Sequence, residues 1–461
     1  MAASRNSRSP DLPARVARRL AELLVAEGPG LPSPLFPQPS PAPSSASLSP
    51  TLAVGLSGGR DSVTLLAALV ALAPARGWRL CAVHVHHGLS ANADAWAQFC
   101  ADLCQRLAIP LQVHRVSVPL DSGQGLEAAA REARYRIFAG LDADALILGH
   151  HRDDQAETLL FNLLRGAGLR GLAAMPARRL LPRPGAMPLP LLRPLLDVPR
   201  AEIESWLGSQ GLAWIEDESN ADTRYARNFL RREVLPLLQS RFPAAASLAR
   251  TARLAGEAEE LLAEVAAQDL AAASLGGSLR ASALAQLSAP RGRNLLRHWL
   301  RRHGTPMPEA QALEELWQQL LCPRPDGQVE WRCGQWVVRV WRGTVFLEQE
   351  SPELPSPLVS RPWQGETSVP WPWGSIHCQE VRGAGIGARF LSTGAHFQLR
   401  QGGEHLRLPG RPKRLLKKML QEADIPPWQR ERVPLLWIGD TPAWVPGLGI
   451  AAQFACPEGE A

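Results

Sequence analysis

The stretch Ser57-Gly58-Gly59-Arg60-Asp61-Ser62 has the plainest chemical content in the chain. Adjacent glycines let backbone N–H groups crowd around an anion, and Ser57 and Ser62 add hydroxyl donors. The helix-periodic Val63, Leu65, Leu66 and Leu69 that follow bring a helix N-terminus and its partial positive charge. This is a phosphate cradle. No Gly-Lys-Ser/Thr follows, so it is not of the Walker type, and it does not fit a GxGxxG dinucleotide turn.

A second group is Gly149-His150-His151-Arg152-Asp153-Asp154-Gln155-Ala156-Glu157-Thr158. Acids in a first helical turn complement the helix dipole, which accounts for one or two of them. It does not account for the paired histidines before them, or for Asn162, Arg165 and Gly166 after them. Carboxylates beside a phosphate cradle suit Mg²⁺, which bridges leaving phosphates and neutralises developing charge. His84, His86 and His87 are close in sequence, but strand geometry sends His84 and His86 to one face and His87 to the other. They read as polar groups lining a nucleotide pocket rather than as a complete zinc site. Glu127, Arg131, Arg134 and Tyr135 share one helix face. Spacing alone leaves two readings open: a solvated, salt-bridged face, or arginines aimed at a substrate carboxylate or phosphate.

The elements that must position these groups follow from periodicity. Strand Thr51 to Leu56, helix 62–73, strand Arg79 to Val85, helix 92–108, strand Leu111 to Val116, helix 125–142, strand Ala145 to Leu148 and helix 153–165 alternate. The alternation predicts an α/β fold, a doubly wound parallel sheet with every motif above at a strand's carboxyl end. After Leu195 the pattern turns helical (199–210, 226–240, 243–274), with Arg291, Arg293, Arg297, Arg301 and Arg302 further on. Residues 328–349 alternate as strands, and the Pro- and Trp-rich 351–374 reads as a connection. The end of the chain reads as a small α+β part with a basic helix from Lys413 to Glu422.

Residues 28–50 are a proline and serine tract that cannot bury enough apolar surface to order itself, and they read as a linker. Before them, Leu12 to Ala26 makes a short amphipathic helix. The Arg5, Arg8, Arg15, Arg18 and Arg19 pattern resembles a transit peptide but lacks a cleavage pattern, so a disposable extension is expected.

A net charge of +6 and a pI near 9.2 favour a polyanionic partner. Seven cysteines without a CxxC pair read as free thiols of a reducing cytoplasm, and no apolar run approaches a membrane span. Arg407, Arg411, Lys413, Arg414, Lys417, Lys418, Arg430 and Arg432 continue through a Gly-Pro loop with few acids between them. Phosphate contact is the favoured reading there, with Trp428 a candidate for stacking on unpaired bases.

Taken together, these segments resemble the tRNA(Ile)-lysidine synthetase family of the PP-loop ATP-pyrophosphatase superfamily. SGGRDS matches the superfamily loop. HVHHGL, LEAAAREARY (Leu126 to Tyr135), GHHRDDQAET with NLLRGAGLRGL, and RPLL (Arg193 to Leu196) match the family. So do Asp217 to Asn220, Arg227-Asn228-Phe229-Leu230-Arg231, and the segment from Leu399 to Trp437. Arg60 stands where a smaller apolar residue is usual, Ser90 where an Arg commonly follows HHGL, and Glu218 where a proline is often seen.

The resemblance implies ATP cleavage between the α and β phosphates and adenylation of the wobble cytidine of an isoleucine tRNA with a CAU anticodon. Free lysine then displaces AMP to give lysidine. It implies ATP and Mg²⁺ as cofactors, a cytoplasmic location, no membrane, and a possible homodimer. Ser57, Gly58, Gly59, Arg60, Asp61 and Ser62 are implied to hold ATP. Asp61, Asp153, Asp154, Arg131 and Arg134 are implied to be catalytic, with Asp61 and Asp154 on the metal. His87, Arg165, Arg193, Arg227, Arg231, Lys413, Lys417, Lys418 and Trp428 are substrate and tRNA candidates. The implied division is an extension and linker (1–50), a PP-loop adenylating domain (51–235) and a helical middle domain with short strands (236–350). A linker (351–384) and a C-terminal tRNA-binding domain (385–461) follow. The alternatives are another PP-loop tRNA-modifying enzyme, a small-molecule amidating ligase, or a tRNA-binding protein that keeps the fold without the chemistry.

Overall fold

In the computed structural model the described residues are 11–25, 49–118, 126–218, 222–322, 329–350, 360–381, 384–387, 389–390 and 394–456. Most of the expected 28–50 linker, the side chain of Glu127, Asn220, and residues 351–359 of the expected second linker lie outside them. The chain forms two compact units, Met1–Leu262 and Ala263–Ala461.

The first unit runs α1 (Leu12–Val25), β1 (Thr51–Gly55), α2 (Arg60–Arg76), β2 (Arg79–His86), α3 (Ala93–Arg106), β3 (Leu111–Arg115) and α4 (Leu126–Ala139). It continues β4 (Ala145–Ile147), α5 (Arg152–Leu164), α6 (Leu169–Leu172), β5 (Arg178–Arg183), β6 (Ala186–Leu192), α7 (Arg200–Ser209), α8 (Ala226–Phe229) and α9 (Leu235–Gln239). The long α10 (Ala244–Ala273) follows. The sheet order is β3-β2-β1-β4-β6-β5, parallel except for the β5–β6 pair. Leu52, Ala53 and Val54 of β1 are fully buried, as expected of a parallel strand covered on both faces. Chain order reverses between β1 and β4, so a crevice opens at their carboxyl ends. The doubly wound expectation holds, with one addition. Pro182, Pro188 and Pro190 obscured the antiparallel hairpin β5–β6, which buries Leu181, Leu189, Leu191 and Leu192.

The N-terminal helix corrects the expectation of a disposable extension. Leu12, Val16, Leu20 and Leu23 are at most 6% exposed and join the same core as Val63 and Leu66 of α2 and Ile203 and Leu207 of α7. Arg15 donates to Glu202 at 3.0 and 3.2 Å and to Asp197 at 3.2 Å. An amphipathic stripe is visible in sequence, but the surface that receives it is not. The expected helix 226–240 is also interrupted: a π-helical turn, Leu230–Val234, separates α8 from α9. Such turns re-aim side chains and recur at functional sites.

The second unit holds β7 (Ser274–Leu275), β8 (Ser278–Arg280), α11 (Ala281–Leu284), α12 (Ala289–Arg302), α13 (Ala310–Leu321), β9 (Glu330–Cys333), β10 (Trp336–Trp341) and β11 (Thr344–Gln349). Its first sheet has the order β7-β8-β11-β10-β9. Trp299 and Trp317 are buried against it, and Gly292 lies so close to the Trp317 ring that a Cβ there would sit 2.1 Å away.

Next come β12 (Ser360–Pro362), β13 (Ser368–Trp371), β14 (Gly374–His377), β15 (Ala395–Leu399), β16 (His405–Leu406) and β17 (Arg414–Leu415). The last elements are α14 (Leu416–Glu422), α15 (Pro427–Arg430), β18 (Pro434–Ile438), β19 (Thr441–Val445) and β20 (Gly449–Ile450). The sheet β12-β15-β18-β19-β20 corrects the 351–384 linker, because Ser360–Pro362 is its edge strand and β13 and β14 form a hairpin. Prolines suggested a connection, yet edge strands tolerate them. The basic helix starts at Leu416 rather than Lys413, because Arg414–Leu415 pairs with His405–Leu406. No helix among the described residues is long and apolar enough to cross a membrane.

Candidate active site

At the crevice between β1 and β4, the loop after β1 turns sharply through Gly58, whose φ is +85°. Here glycine is required twice over: the positive φ disfavours a side chain, and a Cβ would lie 2.5 Å from Ile215 Cδ1. Ile215 N donates to Gly58 O at 2.9 Å, which ties the loop to the segment after α7. Ser62 Oγ donates to Gly59 O at 2.9 Å and lies 3.1 Å from Ser57 Oγ, so the two hydroxyls brace the turn from within. Gly149, after β4, meets α2 so closely that a Cβ would be 2.8 Å from Asp61 O. The two glycine loops are therefore packed backbone to backbone at the N-terminus of the 17-residue α2.

His151 organises the carboxylates. It is 2% exposed and caps α5, its Nδ1 accepting from Asp153 N at 3.2 Å while its own N–H donates to Asp154 Oδ2 at 3.0 Å. Its Nε2 lies 3.6 Å from Asp61 Oδ1 and 3.5 Å from Asp154 Oδ2. Burial opposes protonation of His151, but Asp154, Asp61 and Asp153 outweigh it and raise its pKa to about 9. Asp61 is held below its ordinary value: burial raises it, and His151, Arg200 and Arg60 more than compensate.

Asp153 has a different duty from its neighbour. Its Oδ2 accepts from Arg200 N at 3.0 Å, at the start of α7. Asp61 Oδ1 and Asp154 Oδ2 thus both converge on His151 Nε2, at 3.6 and 3.5 Å. Mg²⁺ is commonly bound by one or two carboxylates plus substrate phosphates and water, and this donor set fits it. Among the described residues no group of three or more His, Cys, Asp or Glu side chains is placed to hold a metal ion.

Arg231, expected to face substrate, lines the cavity described below and also has protein partners. It donates to Glu157 at 2.6 and 2.7 Å and to Asp154 at 3.2 Å. Glu157 is pushed above its ordinary value by burial, which Arg231 opposes. Arg60 also lines the cavity and has protein partners. It donates to Glu204 and, at 2.9 Å, to Glu216, and its guanidinium lies 5.4 Å from the centre of the Trp214 ring.

Arg193 is 1% exposed and donates to Pro176 O at 2.7 Å, Tyr135 Oη at 3.3 Å and His150 Nδ1 at 3.3 Å. Arg131 and Arg179 stand over the Tyr135 ring at 5.2 and 5.6 Å. Burial raises the Tyr135 phenol, but Arg193, Arg131, Arg134 and Arg179 together bring it below its ordinary value. Burial, Arg193, Arg134 and Arg131 push His150 well down. The result is a strongly cationic wall, and it answers the question that spacing left open: this face of α4 points inward.

One cavity of about 730 Å³ unites these walls, a size suited to a nucleotide-scale ligand. Ser57, Gly59, Asp61, Ser62, His87, Arg134, Asp154 and Arg231 line it. Arg200, Arg232, Trp96 and Trp214 also line it, and the sequence reading missed them, because only the packing of α3, α7 and the π turn brings them there. Of the neighbouring histidines, His84 bonds Leu56 O at 2.9 Å and His86 lies 3.2 Å from Asp94. Arg165 and Arg227 are not on the cavity wall; both lie against Phe161, at 5.1 and 5.7 Å from its ring centre.

In the second unit Lys413, Lys417 and Lys418 are exposed, while Arg414 is paired with Glu422 at 2.5 and 2.9 Å. Trp428 meets Phe346 edge-on at 5.8 Å and the Arg339 guanidinium at 5.4 Å.

With this geometry in view, three family models match the chain. They are the PP-loop domain at residues 41–238, the TilS substrate binding domain at 279–346 and the TilS substrate C-terminal domain at 395–461. A tRNA(Ile)-lysidine synthase of Azoarcus sp. is 47% identical over 89% of this chain and 90% of its own length. The tRNA(Ile)-lysidine synthase of Nitrosomonas europaea is 42% identical over 88% and 90%, and that of Aromatoleum aromaticum 44% over 89% and 95%.

Proposed function

The chain belongs to the tRNA(Ile)-lysidine synthase family, and on that premise we propose how its cavity carries out the family reaction. It forms lysidine on an isoleucine tRNA at the expense of ATP. The cytidine C2 oxygen is a poor leaving group until it is adenylated. In the first step that oxygen attacks the α-phosphorus, the bond to the β-phosphate oxygen breaks, and pyrophosphate departs. In the second, the lysine ε-amine bonds to C2, the C2–O bond breaks, AMP leaves with the oxygen, and the amine gives up a proton.

The chain's own groups have separable duties. The backbone of Ser57 to Ser62 and the start of α2 hold the pyrophosphate, whose charge grows as it leaves. Asp61 and Asp154 would hold Mg²⁺, which when bound supplies neutralising charge beside the phosphates. Asp154 and Asp61 are also the carboxylates available to take the proton from the amine. Arg134, with Arg131 and Arg193 behind it, offers positive charge to the α-phosphate or to the lysine carboxylate. The tRNA roles of Lys413, Lys417 and Lys418 rest on charge and exposure, since basic groups of this kind contact phosphates.

The observation that carries this reading is the meeting of the glycine cradle, the Asp61–Asp154 pair and the Tyr135 arginine cluster around one cavity. The test is mass analysis of a CAU-anticodon stem-loop RNA incubated with ATP, Mg²⁺, lysine and the protein. A mass gain equal to lysine minus water on the cytidine, dependent on all four components, is expected. An unmodified RNA, or modification without ATP, overturns it.

A further inference from the structure

The segment that supplies Arg231 to the carboxylates has a second face. Among the described residues the exposed large aromatic side chains are Tyr225 at 47%, Phe229 at 43% and Phe242 at 64%, all within 18 residues of one another. Phe229 N donates to Tyr225 O at 3.0 Å, so the first two rings are one helical turn apart on the same side. Arg232 comes next along that side, is exposed, and lines the cavity. Arg227 and Arg231 point the other way, onto Phe161 and Glu157 of α5. The π turn at Leu230–Val234 lets the same short segment serve both directions.

Exposed aromatic rings clustered on one short segment mark interaction surfaces. Burying them inward is precluded here, since the inward face is already filled by Leu230 and Leu235 packed on Leu160. The segment carries Arg224, Arg227, Arg231 and Arg232 against Asp222 and Glu233, so its charge is positive. Rings interleaved with arginines, leading to the mouth of a nucleotide-sized cavity, match the chemistry of unpaired RNA: bases stack on the rings and phosphates meet the guanidinium groups.

We propose that Tyr225, Phe229 and Arg232 form a stacking track for the unpaired nucleotides adjoining the cytidine that enters the cavity. The proposal rests on the function given above and adds the seat of the neighbouring bases. Stacking on Tyr225 and Phe229 holds the loop open, and Arg232 takes the phosphate between the stacked base and the reacting one.

The test compares the full-length protein with its Tyr225→Ala/Phe229→Ala and Arg232→Ala variants. Binding is measured to a CAU anticodon stem-loop and to the same stem-loop with abasic sites flanking the cytidine, across a salt series. The double variant is expected to bind the intact stem-loop more weakly by about tenfold per ring, with its salt slope unchanged. The abasic RNA should bind the parent as weakly and show no further loss with the double variant. Arg232→Ala should lower the salt slope by about one. Tyr225→Phe/Phe229→Tyr should restore affinity, and ATP binding by the Tyr225→Ala/Phe229→Ala variant should match the parent, which reports an intact fold. Parent-like affinity in the double variant, or an abasic penalty that persists in it, overturns the stacking track. Failure of the parent itself to bind either RNA instead overturns the function on which the track rests.

Discussion

Arg231 grips Glu157 through two parallel hydrogen bonds, Nε to Oε1 at 2.6 Å and Nη2 to Oε2 at 2.7 Å, while Nη2 reaches Asp154 at 3.2 Å. A fork-to-fork pair fixes both partners in angle as well as distance. Glu157 is 6% exposed, so the arginine also prevents an unpaired buried carboxylate. Arg231→Ala is expected to cost about 3–5 kcal/mol of stability. Arg231→Ala/Glu157→Leu should recover much of the stability but not the activity, because Asp154 has lost its neighbour. Urea unfolding of the single and double variants, beside turnover, checks both halves.

Asp61→Asn should abolish pyrophosphate release while tRNA affinity stays within about twofold, since this carboxylate faces the cavity and not the RNA surface. Normal turnover by that variant would remove Asp61 from the chemistry.

Arg60→Ala is expected to behave quite differently from its neighbour. The Arg60 guanidinium is committed to Glu204 and Glu216, and exposed ion pairs of this kind contribute about 1 kcal/mol or less. Pyrophosphate release should stay within a few-fold of the parent, with a small fall in melting temperature. A loss as deep as that of Asp61→Asn would show that Arg60 reaches the phosphates after all.

His150 should make stability depend on pH. Burial, Arg193, Arg134 and Arg131 hold its folded-state pKa well below the ordinary 6.5. The unfolded chain therefore binds the extra proton first as pH falls. The stabilising contribution is complete above pH 6.5 and is lost as pH drops toward the folded value. Thermal melts between pH 7.5 and 5, taken as roughly the window in which a free histidine titrates, should fall more steeply for the parent than for His150→Asn. Parallel curves would assign the acid sensitivity to other groups.

The N-terminal helix is expected to be part of the folding unit. Leu20 is fully buried, and Leu20→Ala should cost about 2–5 kcal/mol, read by denaturant midpoint at constant slope. A change below about 0.5 kcal/mol would restore the view of α1 as an appendage.

Much of this molecule was legible in its residues. Local periodicity marks β1, α2, β2 and α5 because their apolar spacing and glycine turns are properties of a few consecutive residues. The phosphate cradle was legible for the same reason: Gly58 needs its positive φ whatever surrounds it. The β5–β6 hairpin was not, because prolines argue against strands and only its pairing with β4 explains the buried leucines.

The sequence by itself determined which chemical groups exist and on which elements they ride: the loop, the carboxylates of α5, the arginines of α4, and the basic stretch near the end. Tertiary structure decided which of them meet. Asp153 and Asp154 are adjacent in sequence, yet one caps α7 through Arg200 N and the other converges with Asp61 near His151 Nε2. Arg60 lies inside the cradle motif, and its guanidinium is paired with Glu204 and Glu216, more than 140 residues away. Arg231 is 74 residues from Glu157 and forms its strongest contact there. Local composition sets propensity and charge over a few residues. The direction of a long, charged side chain is set by partners that only the packed sheet and its helices bring within reach.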